Sequence, residues 1–428
     1  MPSLYEKNVL NCRDKSQKII NYLTSTSAYV HIPFCRRRCY YCDFPVSVVG
    51  DKATGSTSGT IEQYVEVLCQ EIAATPVLGC SLDTVFFGGG TPSLLSVEQL
   101  TRILDVFKQH FGISADAEIS MEMDPGTFSL EQLEGYRNGG VNRVSVGVQA
   151  FQDELLAACG RSHNSTDIFT SLQILRQVEI PDISLDLISG LPHQTLEQWQ
   201  ESLLTAVKIA PTHISCYDLI IEPVTAFGRQ YSPGATPLPT DDTAAQMYKL
   251  AQQILTSAGY EHYEISNYAL PGHQCRHNRV YWENRPYYAF GMGAASYVQG
   301  GRFTRPRTRR EYYAWVQQLI EADGVIECPE TPETEVLLET LMLGLRLAEG
   351  LNLLALNQQF GEETLNQIWF ALQPYYRQGW VEIVGENQEI LDLKKAQKLP
   401  NTGQIRLNDP EGFLFSNTIL ADLFSQFS

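Results

Sequence analysis

Short apolar runs typical of buried strands alternate with amphipathic helical patterns along the first half of this 428-residue chain. This alternation indicates an α/β fold built from repeated βα units around a parallel sheet. Eight units would close a barrel, so the six units seen here predict an open, partial (β/α)6 TIM-like barrel, with functional residues on the loops after the strands. The strands are predicted at 28–32, 84–87, 118–123, 143–148, 182–188 and 213–219, with helices at 61–75, 96–110, 167–178 and 196–209.

Changes in composition and in the periodicity of apolar residues divide the chain into four predicted segments. A polar N-terminal lead occupies residues 1–27 and the partial barrel residues 28–240, which end in a Pro- and Gly-rich linker or lid at 222–240. An extension rich in aromatic residues follows at 241–330. Residues 331–428 form a mostly helical module with short strands near 381–384 and 405–407, which resembles a winged-helix domain.

Charge and hydropathy limit the partners of the chain. The net charge is −18, which argues against nucleic acid as a partner and favours a docking or covering role for the acidic C-terminal module. No apolar run approaches the roughly 20 residues that cross a bilayer. The start MPSLYEKNVLNCRD has no apolar signal-peptide core, so we expect a cytoplasmic protein. Peripheral membrane contact and the oligomeric state stay open.

Three cysteines, Cys35, Cys39 and Cys42, follow the first predicted strand in AYVHIPFCRRRCYYCDF. A structural zinc site would need a fourth ligand, and no second CxxC pair occurs in the chain. Disulfides are not expected in reducing cytosol. A [4Fe-4S] cluster is held by cysteine thiolates, and three of them would leave one iron open to a small molecule. The three arginines inside the motif are expected to favour the thiolate form, and the seven scattered cysteines to be buried or incidental thiols.

Polar residues and a glycine run follow the later strands. The turn Gly88-Gly89-Gly90 before Thr91 would let backbone approach a ligand without a Cβ in the way. Each polar residue alone could be a cap or a solvated side chain. Since consecutive units share one mouth, together they predict a binding site. These residues are Glu122, Gln149, Arg161 and Asp186.

These motifs resemble a known family. The CxxxCxxC motif with a GGGTP turn on a partial barrel looks like the radical S-adenosylmethionine (SAM) superfamily. The segments YVHIPFCRRRCYYCDF, FFGGGTPSLL, SMEMDPGTF, NRVSVGVQAF and SLDLISGLPHQT are similar to its coproporphyrinogen dehydrogenase, or HemN-like, branch. With HNRVYWENRPYYAFGMGAASY and RLNDPEGFLFSN, they look like the HemW subfamily of heme chaperones.

The resemblance implies cofactors and residue roles. A [4Fe-4S] cluster would be bound by Cys35, Cys39 and Cys42, with its open iron chelating SAM. Residues lining that SAM would be Tyr29, Gly90 and Glu122. Positions that hold a second SAM in the dehydrogenases are matched by Tyr41, Thr91, Gln149, Arg161 and Asp186.

One difference from the dehydrogenase motif bears on the choice between an oxidase and a heme chaperone. The dehydrogenases carry a further cysteine two residues after the third, where this chain has Phe44. This favours a heme chaperone that binds heme and transfers it to acceptor proteins. The alternative is an oxygen-independent coproporphyrinogen III oxidase, in which a 5′-deoxyadenosyl radical abstracts hydrogen from propionate side chains, so whether the chain is an enzyme stays open. A third reading is a radical SAM fold kept as an interaction scaffold.

The HNRVYW segment is the candidate heme segment of the chaperone subfamily. His277 can ligate iron, and Tyr281, Trp282 and neighbouring tyrosines offer a surface for a flat macrocycle. His277 is therefore the predicted heme ligand, with Cys275 as a weaker rival.

Overall fold

The computed structural model describes residues 24–51, 54–325, 331–394, 396 and 398–427, so most of the predicted N-terminal lead lies outside the described residues. The strands in chain order are β1 Ser27–Ile32, β2 Phe34–Cys35, β3 Ser47–Val48, β4 Leu82–Gly89, β5 Ile113–Met123, β6 Arg143–Gln149, β7 Asp182–Ser189, β8 His213–Asp218, β9 Glu261–Glu264, β10 Asn267–Ala269, β11 Tyr288–Phe290, β12 Ala295–Val298, β13 Gly301–Thr304, β14 Leu351–Asn352, β15 Val381–Val384 and β16 Gln404–Leu407. The helices are α1 Gly59–Ala74, α2 Val97–His110, α3 Leu130–Gly139, α4 Asp153–Ala158, α5 Ser165–Gln177, α6 Leu196–Ile209, α7 Ala226–Gln230, α8 Asp241–Ser257, α9 Arg276–Trp282, α10 Arg309–Glu321, α11 Glu333–Gly344, α12 Leu353–Gln378, α13 Glu411–Leu414 and α14 Ser416–Phe424.

A nine-stranded sheet in the order β11-β1-β4-β5-β6-β7-β8-β10-β9 forms the centre of the protein. The six predicted strands, β1 and β4 to β8, are neighbours and pair in parallel. This confirms the partial (β/α)6 barrel. Strand β11 extends one edge in parallel, and β10 and β9 extend the other in antiparallel. These three strands have only three or four residues each and were not predicted.

The four predicted barrel helices are present within two residues of their predicted bounds. Ser96 and Gln99 form a capping box at the start of α2. The buried face of α1 includes Tyr64, Val65, Leu68 and Ile72. Helix α3 was missed, since only Leu133 and Tyr136 of its ten residues are buried and its apolar period is short.

The C-terminal region packs around its own apolar cluster, which includes Leu341, Leu353, Trp369 and Ile405. Its helices accompany a three-stranded sheet in the order β14-β16-β15, in agreement with the predicted mostly helical module with short strands. Gly361, with φ 83° and ψ 165°, interrupts α12, so two helices are present there. No helix in the described part of the chain is long and apolar enough to cross a bilayer.

A fully buried ion pair ties the segment after β13 to α1. Arg305 Nε donates to Glu71 Oε1 at 2.6 Å, and the two side chains are 1% and 0% exposed. The second oxygen of Glu71 accepts from Tyr312 Oη at 2.6 Å and from the Gly291 amide at 2.8 Å. Because every partner comes from beyond residue 290, this carboxylate fastens that segment to the barrel.

Candidate functional site

The three motif cysteines lie beyond the carboxyl end of β1, beside the glycine turn that ends β4. Cys35 lies in β2, and Cys39 and Cys42 in the loop that follows. The two loops are hydrogen-bonded, because the Gly90 amide donates to Ile32 O at 2.9 Å and the Thr91 amide to Phe34 O at 2.7 Å. A Cβ on Gly90 would lie 2.7 Å from that same Phe34 oxygen. Glycine therefore allows the close approach of the two loops.

The chemistry of the cysteines fits a cluster. All three are free thiols of intermediate exposure, and Arg161 Nη1 donates to Cys39 Sγ at 3.4 Å. The described residues contain no three His, Cys, Asp or Glu grouped around a single ion position. A [4Fe-4S] cluster does not need such a group, because each cysteine binds a different iron. Three free thiols beside a guanidinium donor are compatible with binding of a [4Fe-4S] cluster. That these cysteines bind the cluster stays a prediction.

Burial outweighs the effect that the motif arginines were expected to have on the thiols. Burial raises the pKa of the Cys35 thiol to about 12 and also raises that of Cys42. Arg36 donates to Gly126 O and Arg37 to Asp51, while the charge of Arg38 lowers the pKa of Cys42 by less than burial raises it. Iron binding would therefore have to displace protons from these thiols. Among the scattered cysteines, Cys69, Cys159, Cys216 and Cys275 are free as expected, but Cys80 is disulfide-bonded, so that expectation is wrong for Cys80.

Glu122 and Tyr29 lie together at the end of the sheet. The Gly89 amide donates to Glu122 Oε2 at 2.9 Å, and the Tyr29 hydroxyl is 3.0 Å from His31 Nδ1. Burial, followed by repulsion from Asp186, raises the pKa of Glu122 to about 8. With this pKa, the Glu122 carboxyl group is mostly protonated at neutral pH. In its protonated form it can donate a hydrogen bond to a ligand.

The raised pKa of Glu122 predicts a pH dependence of stability. An unfolded glutamate releases its proton near 4.5 and the folded one near 8, so the folded state holds more protons in this window. The free energy of unfolding therefore contains a contribution that falls as pH rises from about 4.5 to about 8. We expect Glu122→Gln to flatten this fall in urea titrations without SAM, while Glu66→Gln, at an exposed position on α1, leaves it unchanged. An unaltered slope in Glu122→Gln would contradict the prediction.

A second group of predicted residues surrounds Asp124, which the sequence analysis missed. Arg161 pairs with Asp124 and donates to Gly147 O at 2.9 Å, and Thr91 Oγ1 donates to Asp124 at 2.9 Å. Tyr41 Oη is 3.4 Å from Arg161 Nη1. Gln149, whose φ is 66°, belongs to this group, because a Cβ on Gly147 would lie 3.0 Å from both its Nε2 and Arg161 Nη2. Asp124 is two residues after Glu122, a spacing that could have indicated it.

Asp186 does not join the Asp124 group. It lies in the barrel interior, where Ser145 Oγ donates to both carboxylate oxygens at 2.8 Å. Burial raises its pKa. A cavity of about 310 Å³ is lined by Asp186, Tyr29 and Glu122, and it extends from Phe44 at the mouth to Arg143 deeper in the barrel. The predicted SAM residues therefore form two clusters, one in this cavity and one around Asp124.

The HNRVYW segment lies at the opposite end of the barrel from the cysteines. Glu118 accepts from the amides of Arg276 and His277, each at 3.0 Å, and His277 Nδ1 lies 2.7 Å from Thr84 Oγ1. Thr84 is near the start of its strand, and Arg143, the first residue of β6, donates to His273 O at 3.1 Å. The segment thus closes the amino end of the barrel.

His277 has no free ring nitrogen in this arrangement. Its Nε2 lies 2.8 Å from Tyr281 Oη, the side chain is 1% exposed, and burial lowers its pKa to about 3. Iron ligation by His277 would require one of its two hydrogen bonds to break and α9 to open. Cys275 is also buried. The heme-ligand role of His277 stays a prediction, but this geometry disfavours it.

Removing the imidazole should therefore affect stability more than heme binding. In His277→Phe the ring can still stack on Phe86, whose centroid is 5.1 Å away, but the hydroxyls of Thr84 and Tyr281 lose their partner. We expect the free energy of unfolding to fall by about 1–3 kcal/mol, with heme affinity within about twofold of the unmodified protein. Urea unfolding and heme titration measure the two effects. Loss of heme binding by a folded His277→Phe protein would instead support axial ligation.

Comparisons with known proteins agree with this architecture. The chain matches the Radical SAM superfamily over residues 29–206 and the HemN C-terminal domain over residues 331–388. It is 48% identical to heme chaperone HemW of Synechocystis sp. over 94% of this chain and 97% of the relative. It is 36% identical to HemW of Bacillus subtilis, over 78% and 87%. The structure of coproporphyrinogen III oxidase (HemN) from Escherichia coli superposes with a TM-score of 0.76 over 97% of this chain and 94% of that one, at 22% identity, which supports the fold alone.

Proposed function

The chain belongs to the HemW family of heme chaperones within the radical SAM superfamily, and from this membership we propose that it binds heme and transfers it to acceptor proteins. The superfamily implies a [4Fe-4S] cluster and SAM as cofactors. The observation that carries the proposal is the 48% identity to a heme chaperone over 94% of the chain. The proposal includes heme-acceptor proteins as partners and a cytoplasmic location.

The position of Phe44 supports the chaperone over the oxidase. It lies where the dehydrogenases carry their further cysteine, and its side chain is 55% exposed at the edge of the barrel cavity. An apolar side chain there can contact a macrocycle but cannot act as a thiol. The likeness to HemN, at 22% identity, concerns the fold alone.

The residues of the mouth would hold the cofactors as follows. Cys35, Cys39 and Cys42 would ligate the cluster, which when bound can supply an electron to SAM. Glu122 would orient a polar group of SAM beside Tyr29, and Gly90 would let the ligand approach backbone. The Asp124 group is already hydrogen-bonded among its own members, so a second SAM would have to replace contacts of Arg161 or Thr91. We therefore propose one SAM site, in the cavity.

Transfer of heme to an acceptor distinguishes a chaperone from a passive heme carrier. Heme-loaded protein is mixed with the apo form of a small b-type cytochrome, and the shift in heme absorbance is followed in time. We expect the transfer rate to rise with the cytochrome concentration, because handover requires a complex of the two proteins. A rate equal to spontaneous heme release, independent of the concentration of every b-type apo-cytochrome tried, would contradict the proposal.

A further inference from the structure

Large apolar side chains are exposed on two segments at the mouth of the barrel. One segment contains the cysteine motif and the other runs from the end of β8 into α7, and they touch, because the Phe227 amide donates to Tyr40 O at 2.9 Å. Phe44 and Tyr217, one from each segment, both line the cavity. Exposed apolar clusters of this kind mark interaction sites. We call the following residues the apolar rim: Tyr40, Phe44 and Val48 in the first segment, and Tyr217 at the end of β8 with Ile220 and Val224 after it in the second.

Three exposed arginines accompany the apolar rim. Arg38 Nη2 donates to Phe44 O at 3.2 Å, Arg229 Nη1 to Val224 O at 3.2 Å, and Arg307 Nη2 to Asp43 O at 3.1 Å. Each of these guanidinium groups contacts a backbone carbonyl, and within the described residues none forms an ion pair with a carboxylate. The rim thus combines apolar surface with three guanidinium groups that have no carboxylate partner among the described residues.

The chemistry of heme matches this combination. Heme is a flat apolar macrocycle with two propionate groups, and guanidinium groups pair well with carboxylates. The cavity of about 310 Å³ is at the lower limit of ligand pockets, roughly 300–1,000 Å³, and is too small to enclose a metalloporphyrin. A macrocycle at this end must therefore lie across the opening.

We propose that heme docks on the apolar rim, covering the cavity, with its propionates directed at Arg38, Arg229 and Arg307. This inference rests on the proposed heme-binding function and assigns it a surface at the cysteine end of the barrel, opposite His277. Heme bound there lies over the predicted SAM site, so the occupancy of one site affects access to the other.

Heme titration of cluster-containing protein tests the apolar part of the rim. Ile220 and Val224 are 69% and 71% exposed and distant in sequence from the cysteines, so the double variant Ile220→Asp/Val224→Asp should fold and retain iron. We expect its heme dissociation constant to rise at least tenfold. The matched control is Phe370→Asp, at a position 71% exposed on α12, which should bind heme as the unmodified protein does.

The arginine part of the rim needs a separate comparison. Arg229→Glu/Arg307→Glu should weaken binding of heme severalfold, but should bind heme dimethyl ester, whose propionates are uncharged, like the unmodified protein. Unchanged heme affinity in Ile220→Asp/Val224→Asp would overturn the docking surface while leaving heme binding intact. Absence of saturable heme binding by the unmodified protein would instead overturn the proposed function, and this inference with it.

Discussion

Replacing Cys39 with alanine should leave the purified protein without an iron–sulfur cluster. The described residues place three free motif thiols at the mouth, and the substitution leaves two, too few to hold a cube that already lacks a fourth protein ligand. Cys39 is also the sulfur that accepts from Arg161, at 3.4 Å. After anaerobic reconstitution we expect iron and sulfide near background and loss of the absorbance at about 400 nm typical of cysteine-ligated clusters.

The control for this loss is Cys69→Ala. Cys69 is a free thiol of intermediate exposure on α1, away from the mouth, so its removal should leave the iron content at the level of the unmodified protein. Full iron and sulfide content in Cys39→Ala would contradict the assignment of the motif. Loss of iron in both variants would show that folding, not ligation, had been disturbed.

Replacing Arg305 with methionine should destabilise the protein strongly. It leaves the Glu71 carboxylate buried with only the Tyr312 hydroxyl and the Gly291 amide as partners. Breaking a buried ion pair on one side costs about 3–5 kcal/mol, which urea unfolding measures. Arg102→Met breaks an exposed pair with Glu62 and should cost at most about 1 kcal/mol.

A second variant separates the lost charge pair from lost packing. In Arg305→Met/Glu71→Leu no buried charge is left unpaired, so the double variant should recover part of the stability lost by Arg305→Met. If Arg305→Met cost no more than Arg102→Met, the buried pair would not fasten the segment after residue 290 to α1.

The barrel could be predicted because its strands and helices are marked by patterns within short stretches of sequence. The six parallel strands are apolar runs, and the start of α2 is marked by Ser96 and Gln99 within one turn. Strands β9 to β11 could not be predicted, since segments as short as Tyr288–Phe290 carry no measurable alternation. Their place in the sheet depends on pairing with distant strands.

The site was predictable in its residue types and less so in its geometry. The cysteine triplet and the glycine turn are compact motifs, and the structure brings both to one mouth. The location of His277 depends on contacts with Thr84 and Glu118, more than 150 positions away, which no local pattern indicates. The net charge of −18 likewise does not indicate the three arginines beside the apolar rim, since it is a sum over the whole chain.

One preparation can test the central claim, that this radical SAM protein binds heme as a chaperone and does not oxidise coproporphyrinogen III. Cluster-loaded protein is titrated with heme, and a second portion is incubated anaerobically with SAM, a reductant and coproporphyrinogen III. We expect saturable heme binding at one site and no protoporphyrinogen. Protoporphyrinogen formed over many turnovers by protein that does not bind heme would contradict the chaperone and establish the oxidase.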